Sequence, residues 1–343
     1  MKKKPVITLV ALLVLSAVAF WGVQLFKVYY DRKVPNFSGA YEFYVHPGDD
    51  PSAVVDSILA AGIVRSETSL RRSLRREGLR VQPGHYKVDA TLSSTYVARM
   101  LRKGWQSPVS LTLSGTLRSP GALCRKIGSQ MLVDSAEVAR FVSSKDSLAR
   151  YGVDPAHLFC LIIPDTYSIT WTASVREIFD RMKKERDAWW TPKRVEDARA
   201  QGLTPDQAVT LASIVDGETR YEPEQPTIAG VYLNRLHIGM KLQADPTVAY
   251  CYGYTLNRIL RSHTECDSPY NTYRYAGLPP GPISCPPKSC LEAVLHPQRH
   301  SYLYFCANPS FNGTHLFAST YPEHLKNARA FQLALTERQR SAK

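Results

Sequence analysis

The stretch TPDQAVTLASIVDGET, residues 204–219, ends in a carboxylic acid at the foot of an apolar stripe. Ala208, Leu211, Ala212, Ile214 and Val215 recur at helical spacing. Glu218 lies three residues past Val215, four past Ile214 and seven past Leu211, so its side chain points the way the stripe does. An acid so placed is partly stripped of water, holds its proton toward neutrality and can donate it. The plainer alternative is a solvated glutamate at a fraying helix end, because buried acids are uncommon. Asp245 is the candidate second carboxylate, although an aspartate before Pro246 is equally explained as a helix N-cap. A third feature is the loop Ser268 to Pro287, SPYNTYRYAGLPPGPISCPP. Its Tyr270, Tyr273 and Tyr275, with Asn271 and Arg274 between them, offer flat apolar faces with polar edges, the combination that carbohydrate sites need. Packing of the tyrosines on their own domain is the bland reading, but long non-repetitive loops in compact domains more often carry function.

The elements that position these groups are legible in outline. Thr204 before Pro205, with Gln207 three residues on, is a helix start closed by a capping box. Upstream, Tyr41 to Val45 alternates like a strand and stops at His46-Pro47-Gly48-Asp49. A helix over Val54 to Leu59 follows, then a basic helix from Glu67 to Glu77, a strand Gly84 to Val88, and a helix Ser93 to Lys103 closed by Gly104. Val109 to Leu113 alternates again and opens a larger region. There the pattern predicts helix over Ala122 to Arg150, Ser174 to Trp190 and Pro226 to Leu236. Two short strands, Leu303 to Phe305 and His315 to Phe317, come near the end. The Trp189-Trp190 pair could stack on sugar, but at helical spacing core packing is favoured.

With 343 residues, 44% hydrophobic and 21% charged, the chain has the make-up of a globular protein of about two domains. Met1-Lys2-Lys3-Lys4 precedes an uncharged run from Val6 to Phe26. As a helix that run covers roughly 30 Å, one bilayer core. The lysines ahead of it place the N-terminus in the cytoplasm and the bulk outside. Ala17-Val18-Ala19 resembles a leader-processing site, yet the apolar residues continue to Phe26, which favours an uncleaved anchor. The net charge of +13 calls for an acidic partner or surface. No zinc-finger, RNA-binding or phosphate-loop pattern accompanies it, so nucleic acid is the weaker reading beside an anionic membrane face or an anionic polymer. Seven cysteines fit an oxidising compartment with one left over. Cys285 with Cys290 and Cys251 with Cys266 are possible pairs, since spacing does not decide connectivity. Cys285, Cys290, His296 and His300 have the wrong spacing for a zinc finger, and no metal or other cofactor is expected.

LASIVDGET (211–219), VYLNRLHIGMKLQADPTV (231–248), SPYNTYRYAGLPPGPIS (268–284) and HLFAST (315–320) closely resemble the endolytic murein transglycosylases of the MltG/YceG-like type. The resemblance covers residues 40–335. It implies an α+β protein with a cytoplasmic tip (1–5), a transmembrane helix (6–26), a linker (27–39), a small LysM-like α+β module (40–107) and a larger mixed α+β catalytic domain (108–343). It implies a lytic transglycosylase of the cell inner membrane that cuts MurNAc–GlcNAc bonds within peptidoglycan strands to leave 1,6-anhydro ends. Its partners would be glycan strands, the membrane and cell-wall synthesis proteins. The catalytic glutamate falls on Glu218, and Gln243, Asp245, Thr247, Asn271, Tyr273 and His315 match positions expected around the substrate. The chain departs from the pattern at Asp216-Gly217, where relatives usually carry Glu-Lys. A glycine there costs up to ~1 kcal/mol of helix propensity, so a looser or bent turn is expected beside Glu218.

Overall fold

A computed structural model of the chain describes residues 3–113 and 117–341; of the proposed cytoplasmic tip, Met1 and Lys2 lie outside the described residues. The architecture is mixed α+β, with two compact units. One comprises the chain up to Ser110 together with Ser168–Ala173, and the other Leu111–Tyr167 together with the chain from Ser174 onward. Among the described residues, sheet structure is limited to three two-stranded pieces.

The first unit begins with α1 (Lys3–Lys33), followed by β1 (Tyr41–Val45), α2 (Pro51–Ala60), α3 (Glu67–Arg76), β2 (Gly84–Val88), α4 (Ser94–Lys103) and the start of β3 (Val109–Thr112). Leu13, Phe20, Trp21 and Leu25 of α1 stand exposed. Among the described residues α1 alone is long and apolar enough to cross a membrane. Strands β1 and β2 pair antiparallel with Tyr41 opposite Val88 and Val45 opposite Gly84. This register turns Phe43, Val45, Tyr86 and Val88 onto a core shared with Ile58 of α2, Leu70 and Leu74 of α3, and Val97 and Leu101 of α4. Helix α4 ends where Gly104 takes φ 67°, a left-handed cap that glycine enters without strain.

Residues 27–39 are not a linker. Helix α1 continues through Lys33, Phe37 is fully buried, and the Asn36 amide donates to the Ser66 carbonyl at 2.9 Å and to Ser94 Oγ at 2.8 Å. What holds this stretch in place is Asp31, whose buried carboxylate accepts from Arg72 and Arg76 of α3. Partners some forty residues away leave no periodic trace in the sequence.

The second unit runs α5 (Pro120–Gly128), α6 (Ser135–Ser143), α7 (Lys145–Ala149), the start of β4 (Thr166–Ile169), α8 (Val175–Trp189), α9 (Pro192–Ala200), α10 (Pro205–Glu218), α11 (Gln225–His237), α12 (Asp245–Cys251), α13 (Lys288–Leu295), β5 (Tyr304–Ala307), β6 (His315–Ala318) and α14 (Tyr321–Ser341). The helix expected over 122–150 is three short ones, because Asp134 and Ser144 each cap a new start, accepting from Ala136 N and Ser147 N at 3.2 Å. Helix α10 lies at the centre, packed by α11, α12 and α13. Every residue from Ala208 to Val215 is buried, including Thr210 and Ser213. The expected stripe is therefore a helix buried on all sides. Its two hydroxyls are tolerated because they return to their own backbone, Thr210 Oγ1 to Asp206 O at 2.9 Å and Ser213 Oγ to Thr210 O at 2.7 Å.

Candidate active site

Helix α10 starts as its sequence predicts. Thr204 Oγ1 accepts from Gln207 N at 3.2 Å, and the Gln207 side chain accepts from Thr204 N at 2.9 Å. It remains helical through Glu218, with Thr219 N bonded to the Val215 carbonyl at 3.2 Å. The looser turn expected at Gly217 is absent, and the glycine has another role. A Cβ there would lie 2.4 Å from Cβ of Pro246. The missing side chain lets the first turn of α12 close against the last turn of α10, which brings Asp245 to the same cleft as Glu218. That cleft, of about 210 Å³, is lined by Glu218, Gly217, Asp216, Asp245, Arg118 and Ser284, with Tyr254 and Ile259 among its apolar walls.

Glu218 keeps part of its surface on the cleft while protein encloses its carboxyl. Burial pushes it up to about 7. The Tyr232 hydroxyl, which donates to Glu218 Oε1 at 2.6 Å, works against the rise, the Asp245 carboxylate adds to it, and the Arg235 charge opposes it. Its place at the C-terminus of α10, where unpaired carbonyls leave partial negative charge, also disfavours the carboxylate. Glu218 is thus a carboxylic acid that carries its proton near neutrality and has a fixed hydrogen-bond donor behind it.

The groups behind Glu218 come from α11. Burial and the Glu218 charge hold the Tyr232 phenol far above its ordinary range, so it stays a donor. One helical turn on, Arg235 is buried, donating from Nε to Leu303 O at 2.6 Å and from Nη1 to Leu242 O at 2.5 Å. It thus ties α11 to the segments before β5 and α12 and leaves a cation in reach of the acid. Asp216 also lines the cleft. Burial raises it, against the Ser284 hydroxyl at 3.3 Å and the charges of Arg118 and Arg220. Tyr232, Arg235, Arg118 and Ser284 are not singled out by the sequence, and Asp216 stands out there only as a departure from the family pattern. On α11, a tyrosine and an arginine three apart look like ordinary core and surface residues until the tertiary packing is known.

The other expected site residues fall into two groups. Asp245 and Tyr273 are together, the Tyr273 hydroxyl donating to Asp245 Oδ1 at 2.6 Å. Asp245 is not an N-cap. Ala244 occupies that position and Asp245 is the first residue of α12, its exposed side chain free to face the cleft. Gln243 is exposed beside it in a left-handed turn at φ 49°, its N–H on Thr272 O at 3.1 Å. Thr247 and Asn271, by contrast, are fully buried and spend their polar groups on protein. Thr247 Oγ1 lies 2.7 Å from Ala244 O and 2.8 Å from Thr272 Oγ1. The Asn271 amide donates to the carbonyls of Thr264 and Cys266 at 2.9 and 2.8 Å, while its oxygen accepts from Tyr273 N at 3.0 Å. These two brace the turn that presents Asp245 and Tyr273. His315 opens β6 and bonds Glu224 through both its ring Nδ1, at 2.9 Å, and its backbone N–H, at 2.8 Å. Its ring meets Phe305 edge-on, and Phe305 meets Tyr232 in the same way. His315 is therefore two ring contacts from Tyr232, and one hydrogen bond further from Glu218.

Of the loop tyrosines, only Tyr273 reaches the cleft acids. Tyr270 packs on Tyr250 with centroids 4.6 Å apart, and the exposed Tyr275 puts its hydroxyl on Asp267 at 3.2 Å. Trp189 is in the core, stacked under the Arg194 guanidinium. All seven cysteines are free thiols, with Cys285 and Cys290 buried. The His300 ring is taken up by Thr227 O and Tyr302 N, and among the described residues no group of three potential ligands gathers for a metal. A larger cavity, of about 560 Å³ between the start of α10 and Gly277–Pro280, does not contain Glu218.

Comparison with known proteins converges on one family. The sequence profile of the YceG-like family matches residues 43–330. An endolytic murein transglycosylase of Bacillus subtilis (strain 168) is 38% identical over 153 residues, 45% of this chain and 42% of that protein. One of Streptococcus pneumoniae serotype 2 (strain D39 / NCTC 7466) is 27% identical over 283 residues, 72% of this chain and 50% of that protein. The chain thus spans about half the length, or less, of these curated relatives. Among solved structures, a 2.6 Å crystal structure of a putative YceG-like protein from Listeria monocytogenes superposes with a TM-score of 0.55 at 26% identity, covering 84% of this chain and 99% of that one.

Proposed function

We propose, from the premise that this chain belongs to the YceG-like family, that it is an endolytic peptidoglycan transglycosylase with Glu218 as its one essential acid–base residue. The observation that carries the reading is the burial-raised carboxyl of Glu218, protonated near neutrality, on a cleft of about 210 Å³. Cleaving a MurNAc–GlcNAc bond needs a proton on the leaving oxygen, and protonated Glu218 supplies it. The resulting carboxylate, with Tyr232 donating to it, then takes the proton of the MurNAc C6 hydroxyl. That oxygen attacks C1 of its own ring and closes a 1,6-anhydro end, with no water consumed. Glycoside hydrolysis generally requires a second carboxylate to activate water or attack carbon. Here an intramolecular alcohol stands in its place and gains from proximity. Asp245, held by Tyr273, orients substrate, with Gln243 exposed beside it. Thr247, Asn271 and His315 support that arrangement.

Asp245 lies close enough to raise Glu218, which favours one rival, a hydrolase using both carboxylates. A scaffold that binds wall without cutting it is the other. Digestion of purified glycan strands, with the released ends weighed, separates all three: anhydro ends mark the transglycosylase, reducing ends the hydrolase, and uncut strands the scaffold. The account expects internal cuts by the wild-type chain and none by the folded Glu218→Gln variant. Equal turnover by that variant would sink the assignment.

The same reading makes α1 the membrane anchor, with the N-terminus cytoplasmic and the chain beyond α1 on the far side of the inner membrane. It makes residues 40–107 a LysM-like module that holds glycan and residues 108–343 the catalytic domain. The strand–helix–helix–strand core of the first unit and the cation excess of +13 support this arrangement near an anionic wall.

A further inference from the structure

We propose that the end of α1 and the outer face of α3 form a docking surface for the anionic lipid headgroups of the membrane that α1 enters. The inference rests on reading α1 as a membrane anchor. The uncharged run ends at Phe26, and Lys27, Tyr29 and Tyr30 follow, residue types that settle at the membrane–water interface. Because α1 is helical through Lys33, Asp31 lies about 7.5 Å beyond Phe26 along the axis. The headgroup layer on one side of a bilayer is about 5–8 Å deep. Asp31 therefore sits at headgroup depth, and so does whatever is bonded to it.

Helix α3 is bonded to it. Arg72 donates to Asp31 from Nε at 2.7 Å and from Nη2 at 2.6 Å, Arg76 from Nη1 at 2.7 Å, and Ser69 from Oγ at 2.6 Å. The Asp31 side chain is completely buried, whereas those of Arg72 and Arg76 are 27% and 36% exposed, so their remaining N–H groups face outward. Arg75 donates only weakly, to the Arg71 carbonyl at 3.4 Å, and its charge meets no carboxylate there. Arg32 and Lys33 are exposed at the end of α1. The exposed end of α1 and the face of α3 bonded to it thus carry five cations, Arg32, Lys33, Arg72, Arg75 and Arg76, and Asp31 pairs with two of them. Arg71 does not add to them, since Glu67 and Asp56 at 2.7 and 3.0 Å already neutralise it. A solvated basic face would serve equally well anywhere on a surface. This one is pinned by a buried ion pair at the depth where phosphates lie, which favours lipid over a soluble anionic polymer.

Hydrogen exchange across residues 67–76 tests the inference, on the full chain in nanodiscs of phosphatidylcholine and in discs that also contain phosphatidylglycerol. Exchange should slow about fivefold or more in the anionic discs, the effect of one basic residue held at an anionic surface. High salt should remove the slowing, and the Arg32→Gln/Arg75→Gln pair, which leaves the Asp31 clamp intact, should reduce it. Equal exchange in both discs, or slowing only when a soluble anionic wall polymer is added, would overturn the proposal. Failure to incorporate into neutral discs would instead refute the anchor on which it rests, so the two failures are distinct.

Discussion

Replacing Glu218 by Gln should stabilise the protein at alkaline pH while it abolishes activity. The folded chain holds Glu218 up to about 7 against an ordinary value of 4.5. A group raised in the folded state contributes its full share of stability below its unfolded value and loses it as pH rises through its folded one. Wild-type stability should therefore fall, on account of this residue, between about pH 4.5 and 7 and level off above. The gap of about 2.5 pH units corresponds to about 3 kcal/mol, at ~1.4 kcal/mol per unit. Glutamine has no charge to desolvate, and its oxygen can still accept from the Tyr232 hydroxyl, so the variant should escape the loss. Denaturation of the two proteins in parallel at several pH values reads the difference. They should coincide near pH 4.5 and separate by up to about 3 kcal/mol by pH 8, about 6–12 °C in melting temperature for a unit of this size. A wild type as stable as the variant at pH 8 would mean that Glu218 is solvated, and the acid-catalyst argument would lose its physical basis.

Activity should decline as pH rises through about 7, the value to which burial pushes Glu218, because the proton donor is then lost; a flat profile to pH 9 would assign the acid elsewhere. The Tyr232 hydroxyl holds Glu218 down, so Tyr232→Phe should move that alkaline limb to higher pH, and a shift the other way would contradict the geometry. Gly217→Ala should lower activity at least about tenfold despite alanine's better helix propensity of ~1 kcal/mol, because its Cβ would force Pro246 and Asp245 away from Glu218. Wild-type turnover by this variant would show that the close approach is unnecessary. Asn271→Ala removes a buried side chain that donates to two part-buried carbonyls and should cost about 1–3 kcal/mol of stability, measurable by denaturation, with any loss of activity following the loss of fold.

Local rules carried the sequence reading as far as local rules hold. The capping box of Thr204 and Gln207, the glycine cap at Gly104 and the alternation of strands β1 and β2 are decided by neighbours a few residues apart. So is the direction in which Glu218 points. What escaped was decided at a distance. The helix through residues 27–33 depends on Asp31 finding Arg72 and Arg76. The groups behind Glu218 sit on α11, where Tyr232 and Arg235 look no different from core and surface residues elsewhere. Gly217 was read through helix propensity, whereas its place is set by contact with Pro246. Thr247 and Asn271 lie in the right motifs, but their side chains face inward, and a motif match does not distinguish a residue that lines a cleft from one that braces it.

The central claim is that one buried acid and an alcohol of the substrate itself replace the two carboxylates of a hydrolase. Mass spectrometry of the glycan ends released by the full chain tests it most directly, since an anhydro end is lighter than a reducing end by one water. The account predicts one anhydro MurNAc end for every cut by the wild type, with an ordinary GlcNAc end on the other fragment, and no new termini from Glu218→Gln. Reducing ends, lost equally on substitution of Asp245 and of Glu218, would contradict it.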